Sequence, residues 1–248
     1  MNETNNTNTF VKQSRNLFVS FWGWFWTGLW FLIMLLLLLK FVIFQQVTVV
    51  GESMQPNYYT GEQLFVNQID KNFRRGQVVA VYRDKDVAKG ANYLTRFSAV
   101  FFLKRVVGLP GEEIEIIGDK TIIYNKENPN GAILVEDYLG ADVVAKEREN
   151  CKNNLVSCYY GRTKIPENYF FLMGDNRVNS TDSRSVGVFP DYSILGQESF
   201  RFWPLAKGSI FDLPDYQWKP IDTATQEELA KFRIKNSVRT TFGEIFRD

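Results

Sequence analysis

Histidine is absent from this chain of 248 residues. It is the commonest metal ligand and a frequent general base, so its absence excludes a Ser-His-Asp triad, a Cys-His pair and the usual zinc sites. Any nucleophilic catalysis must therefore use Lys, Asp, Glu or Tyr as the base.

Cysteine is scarce, since Cys151 and Cys158 are the only two. Two thiols without histidine make a poor zinc site, and we expect no metal. The pair either forms a disulfide that closes a small loop, which requires an oxidising compartment, or remains as two free thiols in a surface loop. We favour the disulfide.

A charge excess is also missing, because 29 basic residues face 28 acidic ones and the net charge is +1. Proteins that bind nucleic acid usually carry a marked basic excess. We therefore expect no nucleic-acid partner.

One long apolar run stands out instead. Residues 17–39 contain no charge, and after Lys40 the apolar residues continue to Phe44. A helix needs about 20 apolar residues to span a bilayer, and the first half of the run is rich in Trp, as at a membrane interface. We predict a transmembrane anchor over 17–44 that contacts the lipid bilayer, preceded by a disordered segment over 1–16.

Lys12 and Arg15 precede this run. The positive-inside rule then places the N-terminus in the cytoplasm and the rest of the chain outside the plasma (inner) membrane. Two alternatives fit less well. A cleavable signal peptide has a shorter apolar core with a small-residue cleavage site, and a buried core helix is seldom so long and uncharged.

Short β-like runs separated by Gly and Asn turns follow the apolar run, and they predict a mainly β catalytic domain of antiparallel sheets over 45–214. The predicted strands are Val47–Val50, Gln63–Asn67, Gln77–Tyr82, Phe101–Val107, Ile114–Ile117, Thr121–Tyr124 and Tyr169–Met173. Residues 125–165 are more charged and less regular, which indicates an insertion. The tail, 215–248, is predicted to be partly helical over 225–242, with a capping box that begins at Thr225.

Ser53 lies in a Gly/Pro-rich turn, Gly51-Glu52-Ser53-Met54-Gln55-Pro56. A serine hydroxyl is a weak nucleophile that needs a base within hydrogen-bond reach. Taken alone, a serine in such a turn is more often a turn residue than a catalytic one.

Lys104 lies inside the apolar strand FFLKRVVG. A buried lysine has a lowered pKa because burial disfavours its charged form, and the neutral amine can accept a proton from serine. The alternative is an ordinary lysine that faces water. Side chains alternate along a strand, so Lys104 and Arg105 point to opposite sides, and we predict that Lys104 points inward.

A third segment, 174–184, follows a buried strand and is dense in Asp, Arg, Ser and Asn. Polar groups at the end of a buried strand need partners, which Asp–Arg pairs and Ser hydroxyls supply. We expect this segment to hold and desolvate the base, although a random surface loop can have this composition.

Together these segments resemble the type I signal peptidases. Ser53-Met54-Gln55-Pro56 resembles the nucleophile box, and Lys104 to Glu112 resembles the lysine box nearly letter for letter. Gly174 to Arg184 is similar to the G-D-N-R-x-x-S-x-D-S-R box, and Arg75 to Ala80 is similar to a weaker box between the first two. The resemblance covers about residues 17–205.

The resemblance implies a role for each matching residue. Ser53 would be the nucleophile, with its backbone N–H in the oxyanion hole, and Lys104 would be the general base. Ser180 would hydrogen-bond the Lys104 amine and orient it. The remaining residues would support the base (Asp175, Asp182, Arg184) or line shallow substrate pockets (Val47, Val49, Met54, Leu103).

The implied function is removal of signal peptides from exported preproteins after small-x-small motifs, without a metal or organic cofactor. The substrate would bind as an added β-strand between Val47–Val50 and Phe101–Leu103. The alternatives are a maturation peptidase with a narrow substrate set, a self-cleaving regulator, which the predicted anchor disfavours, and an anchored peptide-binding domain without catalysis.

The chain departs from the family pattern around the nucleophile. Gly51 stands where some members have a serine thought to complete the oxyanion hole, Glu52 replaces a small residue, and Asn57-Tyr58 replaces Thr-Leu. Many members with disulfide-forming cysteines have two spanning segments, and this sequence shows one.

Overall fold

The computed structural model describes residues 22–38, 43–83, 89–90, 101–153, 158–205, 209–210, 214, 216–231 and 233. The chain divides into two units, 1–45 and 46–248. In the first unit, residues 22–38 form a helix, α1. The predicted anchor over 17–44 is therefore described only in part, since 17–21 and 39–42 lie outside the described residues, as does the predicted disordered segment 1–16. Within the described ranges, no helix is long and apolar enough to cross a membrane.

The rest of the described chain is mainly antiparallel β-structure, as predicted. The strands are β1 Phe44–Thr48, β2 Gln63–Asn67, β3 Val78–Tyr82, β4 Phe101–Gly108, β5 Glu113–Ile117, β6 Lys120–Tyr124, β7 Ala132–Val135, β8 Tyr159–Lys164, β9 Tyr169–Met173, β10 Phe189–Pro190, β11 Ile194–Trp203, β12 Ser209–Ile210 and β13 Gln217–Pro220. The helices that follow α1 are α2 Ala141–Asn153, α3 Ser183–Val186 and α4, residues 223–231.

The strands form two sheets. The first has the order β1-β2-β11-β3-β4-β9-β10, with β12 paired to β11, and the second has the order β13-β7-β6-β5-β8. The pair Ile117 and Lys120 closes the hairpin between β5 and β6, and Gly118 supplies the positive φ of its two-residue loop.

Both faces of the first sheet are covered. On β3, Val78 and Ala80 join one apolar cluster, whereas Val79 and Val81 join another on the opposite face. A third cluster joins the two sheets, because Phe171 of β9 packs among side chains of the second sheet. A polar side chain on β4 is therefore buried whichever way it points.

The six strand predictions from Gln63–Asn67 to Tyr169–Met173 agree with the structure to within one residue at each end. The first strand lies earlier than predicted, at Phe44–Thr48. The ten-residue strand β11 was missed because Gly196 and the polar residues after it interrupt its apolar pattern.

Residues 125–165 are more regular than their composition indicates, since they contain α2 and two strands of the second sheet, β7 and β8. β7 is apolar, and β8 pairs with β5 although it contains Gly161, Arg162 and Lys164, because pairing within a sheet overrides local propensity. In the tail, β13 pairs with β7. Helix α4 begins at residue 223, and the Asp222 carboxylate, rather than Thr225, accepts a backbone hydrogen bond in its first turn. Residues 234–242 of the predicted helix lie outside the described residues.

Candidate active site

Ser53 lies in the turn between β1 and β2. Gly51 has φ +91°, which lets the chain reverse, and the Thr60 hydroxyl bonds both backbone groups of Gly51. Met54 is almost fully buried and fixes the turn in the core, whereas Ser53 is half-buried. The hydroxyl of Ser53 is thus held at the surface of a fixed turn.

Lys104 projects from β4 and is only 2% exposed. Its Nζ lies 2.8 Å from Ser53 Oγ. The fold brings together two side chains that are 51 positions apart, at the distance that proton transfer from the hydroxyl to a neutral amine requires.

Burial lowers the pKa of Lys104 to about 8, because the charged amine loses its hydration. The Asp182 and Asp175 carboxylates oppose this shift, and Arg184 adds to it. About a tenth of Lys104 is therefore neutral at pH 7, compared with well under a thousandth for an unperturbed lysine, and the neutral fraction increases as pH rises through 8.

Asp182 is buried and caps α3. Its carboxylate accepts hydrogen bonds from Gly174 N at 3.0 Å and from the Arg184 side chain at 2.9 Å. Burial alone raises the pKa of Asp182, but the Arg184 contacts and the Gly174 N–H outweigh it and hold the carboxyl below its usual pKa. Asp182 is thus a fixed negative charge near Lys104.

Ser180 was predicted to bond the Lys104 amine, and the described residues contain no such bond. The Ser180 hydroxyl is buried and helps to lower the pKa of Asp182, yet it has no hydrogen-bond partner at regular distance and geometry within the described part of the chain. The orienting role of Ser180 stays a prediction.

Gly174 allows the Ser53 turn to approach the 174–184 segment. A Cβ on Gly174 would lie 2.4 Å from Ser53 O and 2.3 Å from Ser180 Oγ. Both distances are shorter than real Cβ contacts, and the first involves backbone, which cannot rotate away.

We expect Gly174→Ala to push the Ser53 turn away from the base and to lower kcat by about 100-fold, since a 1 Å misplacement can have that effect. Cleavage assays on the purified full chain test this. Gly161→Ala is the control, because its Cβ would meet only ordinary contacts at 3.7 Å. Equal activity of both variants would contradict the close approach.

Arg105 is also buried, because the opposite face of the sheet is covered too. Its guanidinium bonds Asp175 at 2.8 and 2.6 Å and Gly76 O at 2.8 Å. Asp175, which is fully buried, also accepts a bond from Asn57 of the nucleophile turn. Asp175 therefore connects the strand of the base to the turn of the nucleophile.

Comparison with known proteins identifies the family to which this chain belongs. Residues 22–203 match the family described as signal peptidase, peptidase S26. The chain belongs to the signal peptidase family.

Curated relatives agree with this assignment. Signal peptidase I of Bacillus amyloliquefaciens is 32% identical over 198 residues, which cover 78% of this chain and 90% of the relative. Signal peptidase I T of Bacillus subtilis (strain 168) is 31% identical over 210 residues, or 82% and 96% of the two chains. A crystal structure of a signal peptidase I from Enterococcus faecalis V583 matches at 28% identity and a TM-score of 0.36, and the match covers 51% of this chain and 96% of that one. The family match and the two Bacillus relatives show that the chain is a hydrolase of the signal peptidase I kind.

The residues that were predicted to line substrate pockets lie together in this signal peptidase. Val47, Val49, Met54 and Leu103 belong to one buried cluster beside the Ser53 turn, and each is less than 10% exposed. Their use as pocket walls stays a prediction.

Sequence reasoning missed one buried ion pair behind the site. Arg177 donates to the Glu136 carboxylate through both terminal nitrogens and to Gly174 O at 3.1 Å. Glu136 directly follows β7, and nothing in the sequence around it predicts that it is buried. Arg177 lies among several polar residues, so the sequence does not show which residue it pairs with.

The two cysteines are bonded to each other, with Cys151 near the end of α2 and Cys158 just before β8. Within the described ranges, no three side chains of Cys, Asp or Glu are grouped so that they could hold a metal ion.

Proposed function

We propose that this signal peptidase removes N-terminal signal peptides from exported preproteins with Ser53 as nucleophile and Lys104 as general base. The observation that carries the proposal is the 2.8 Å contact between Lys104 Nζ and Ser53 Oγ, made by a lysine whose pKa burial lowers to about 8. The chain has no histidine that could take the part of the base.

The reaction begins when neutral Lys104 accepts the proton of Ser53 and Ser53 Oγ attacks the scissile carbonyl. Lys104 then gives the proton to the leaving amine as the peptide bond breaks, which leaves an acyl-enzyme. Lys104 then takes a proton from water, the water oxygen attacks the acyl carbon, and Lys104 returns the proton to Ser53 Oγ as the ester bond breaks and the new carboxyl end of the signal peptide is released. Asp175, Asp182 and Arg184 hold the surroundings of the amine, and Ser180 helps to orient it.

We propose cleavage after small-x-small motifs, with the substrate strand between 47–50 and the start of β4. Val47 and Val49 pack in the same cluster as Leu103, although three strands separate β1 from β4 in the sheet. Side pockets walled by such closely packed residues have room for small substrate side chains only.

We also propose that residues 17–44 anchor the peptidase in the plasma membrane after a short cytoplasmic segment, 1–16. The catalytic domain, 45–214, and the tail, 215–248, then lie on the outer side. The uncharged run over 17–39 and the basic residues before it support this topology. The Cys151–Cys158 bond fits an oxidising compartment.

Incubation of the purified full chain in detergent with a preprotein that carries an Ala-x-Ala site tests the function, with the cut bond mapped by mass. Wild type should cut after the second Ala, a substrate with Phe at that position should resist, and Ser53→Ala should be inactive. Ser199→Ala, another half-buried serine, is the matched control and should keep activity. Activity of Ser53→Ala would exclude the proposed nucleophile. Failure of wild type on several such preproteins would favour a narrow maturation role or peptide binding alone.

A further inference from the structure

The turn that carries Ser53 is tied at both ends to the segment that begins at Gly174. At its start, Asn176 N donates to Ser53 O at 3.0 Å and Asn176 Nδ2 donates to Glu52 O at 3.1 Å. At its end, Asn57 Nδ2 donates to Asp175 Oδ2 at 2.8 Å. The turn therefore cannot shift without breaking a contact to this segment.

The side-chain amide of Asn57 donates two hydrogen bonds, because Nδ2 also donates to Tyr138 O at 2.9 Å. The two acceptors belong to different parts of the fold. Asp175 follows β9, and Tyr138 lies between β7 and α2. One side chain thus fixes the end of the nucleophile turn against two independently held points.

The same Asp175 carboxylate holds Arg105, the neighbour of Lys104 on β4, through both of its oxygens. The Tyr138 ring packs against the Arg105 guanidinium at 4.1 Å. Asp175 and Tyr138, which accept from the Asn57 amide, therefore both also contact Arg105, and a continuous path of contacts runs from the turn of Ser53 to the strand of Lys104.

We infer that Asn57 is a positioning residue that sets the distance between Ser53 and Lys104 through Asp175 and Tyr138. This inference rests on the proposed function, because it assumes that these two residues react. Asn57 does not touch the reacting atoms. It holds the turn so that Ser53 Oγ stays within 2.8 Å of the amine, a geometry in which small displacements lower the rate steeply.

The test compares Asn57→Leu, which has nearly the same shape without a donor, with Asn57→Gln, which keeps the amide. We expect Asn57→Leu to lower kcat by about 10- to 100-fold with KM changed less than threefold, and Asn57→Gln to recover most of the loss. The low-pH limb of the kcat/KM profile should stay near pH 8, because Asn57 acts on distance and not on the pKa of Lys104. Asn72→Leu, at an exposed asparagine, is the control.

Assays are made on the full chain at temperatures well below each variant's thermal midpoint. If Asn57→Leu does not fold, Asn57→Ala removes the amide without added bulk and carries the same expectation. Four results would each overturn the inference. They are an unchanged kcat in Asn57→Leu, an effect on KM alone, a low-pH limb shifted by more than about one pH unit, and no recovery of kcat in Asn57→Gln. Ser53→Ala in the same series separates the two proposals. If it is inactive while Asn57→Leu keeps full kcat, only the positioning role is wrong, and if it is active, the proposed nucleophile is wrong.

Discussion

Replacing Lys104 by Met should abolish signal peptide cleavage while the domain stays folded. Met is apolar and close to Lys in length, so it fills the same buried space, and it removes the amine that lies 2.8 Å from Ser53 Oγ. General base catalysis contributes about 10²- to 10⁴-fold, and the loss should reach the upper part of this range because no histidine is present to replace the amine. Initial rates with a preprotein substrate, measured beside thermal unfolding, check both parts.

Lys164→Met is the matched control, since Lys164 is an exposed lysine at the end of β8 and should tolerate the change. Cleavage by Lys104→Met at more than about a tenth of the wild-type rate would show that another group is the base.

The wild-type rate should also follow the titration of Lys104. The amine accepts a proton only when neutral, so kcat/KM should rise with pH through about 8 and then level off. A profile that rises around pH 4 and is flat above it would assign the base to a carboxylate.

Glu136→Gln should lower the free energy of unfolding by about 3 kcal/mol or more, because removing one partner of a buried ion pair leaves the other charge uncompensated. Arg177 is 5% exposed, and the hydrogen bonds that it keeps in this variant, to Gly174 O and Tyr138 Oη, are to neutral groups. The nearby Glu147 carboxyl attracts it only through space. Urea unfolding of the full chain measures the change.

The exposed pair Arg162–Glu113 provides the comparison, since Glu113→Gln should alter stability by less than about 1 kcal/mol.

The two pairs also differ in pH dependence. Burial raises the pKa of Glu136, but Arg177 outweighs it and holds the pKa below its usual value. The pair's contribution is therefore present above the unfolded-state pKa, about 4.3, and is lost as pH falls through the lower folded-state value. Equal losses in both variants, or a Glu136→Gln effect that does not decrease as pH falls below about 4, would contradict this assignment.

Much of the fold could be read from local patterns. Strands such as Gln63–Asn67 and Tyr169–Met173 were predicted to the residue because apolar side chains and flanking turns mark their ends. Strand β11 was missed, since its buried Glu198 is stabilised by Tyr58, a partner 140 positions away. Sequence patterns depend on neighbouring positions, so they cannot predict a hydrogen-bond partner that lies so far away along the chain.

The sequence by itself determined the chemistry that is open to this protein. The absence of histidine excluded the usual triads, and the order of the Ser53, Lys104 and 174–184 segments pointed to the signal peptidase family. These conclusions depend on residue type and spacing, which the sequence contains in full.

Only the tertiary structure decided how close Ser53 and Lys104 come to each other and which side chains are buried around them. Ser53 contacts Lys104, Arg105 is buried together with Lys104, and the Asn57 amide donates two hydrogen bonds. All three features arise where segments that are distant in the sequence meet. Burial and neighbouring charges control the pKa of Lys104 and the strength of the ion pairs, and both depend on atoms that only folding brings near.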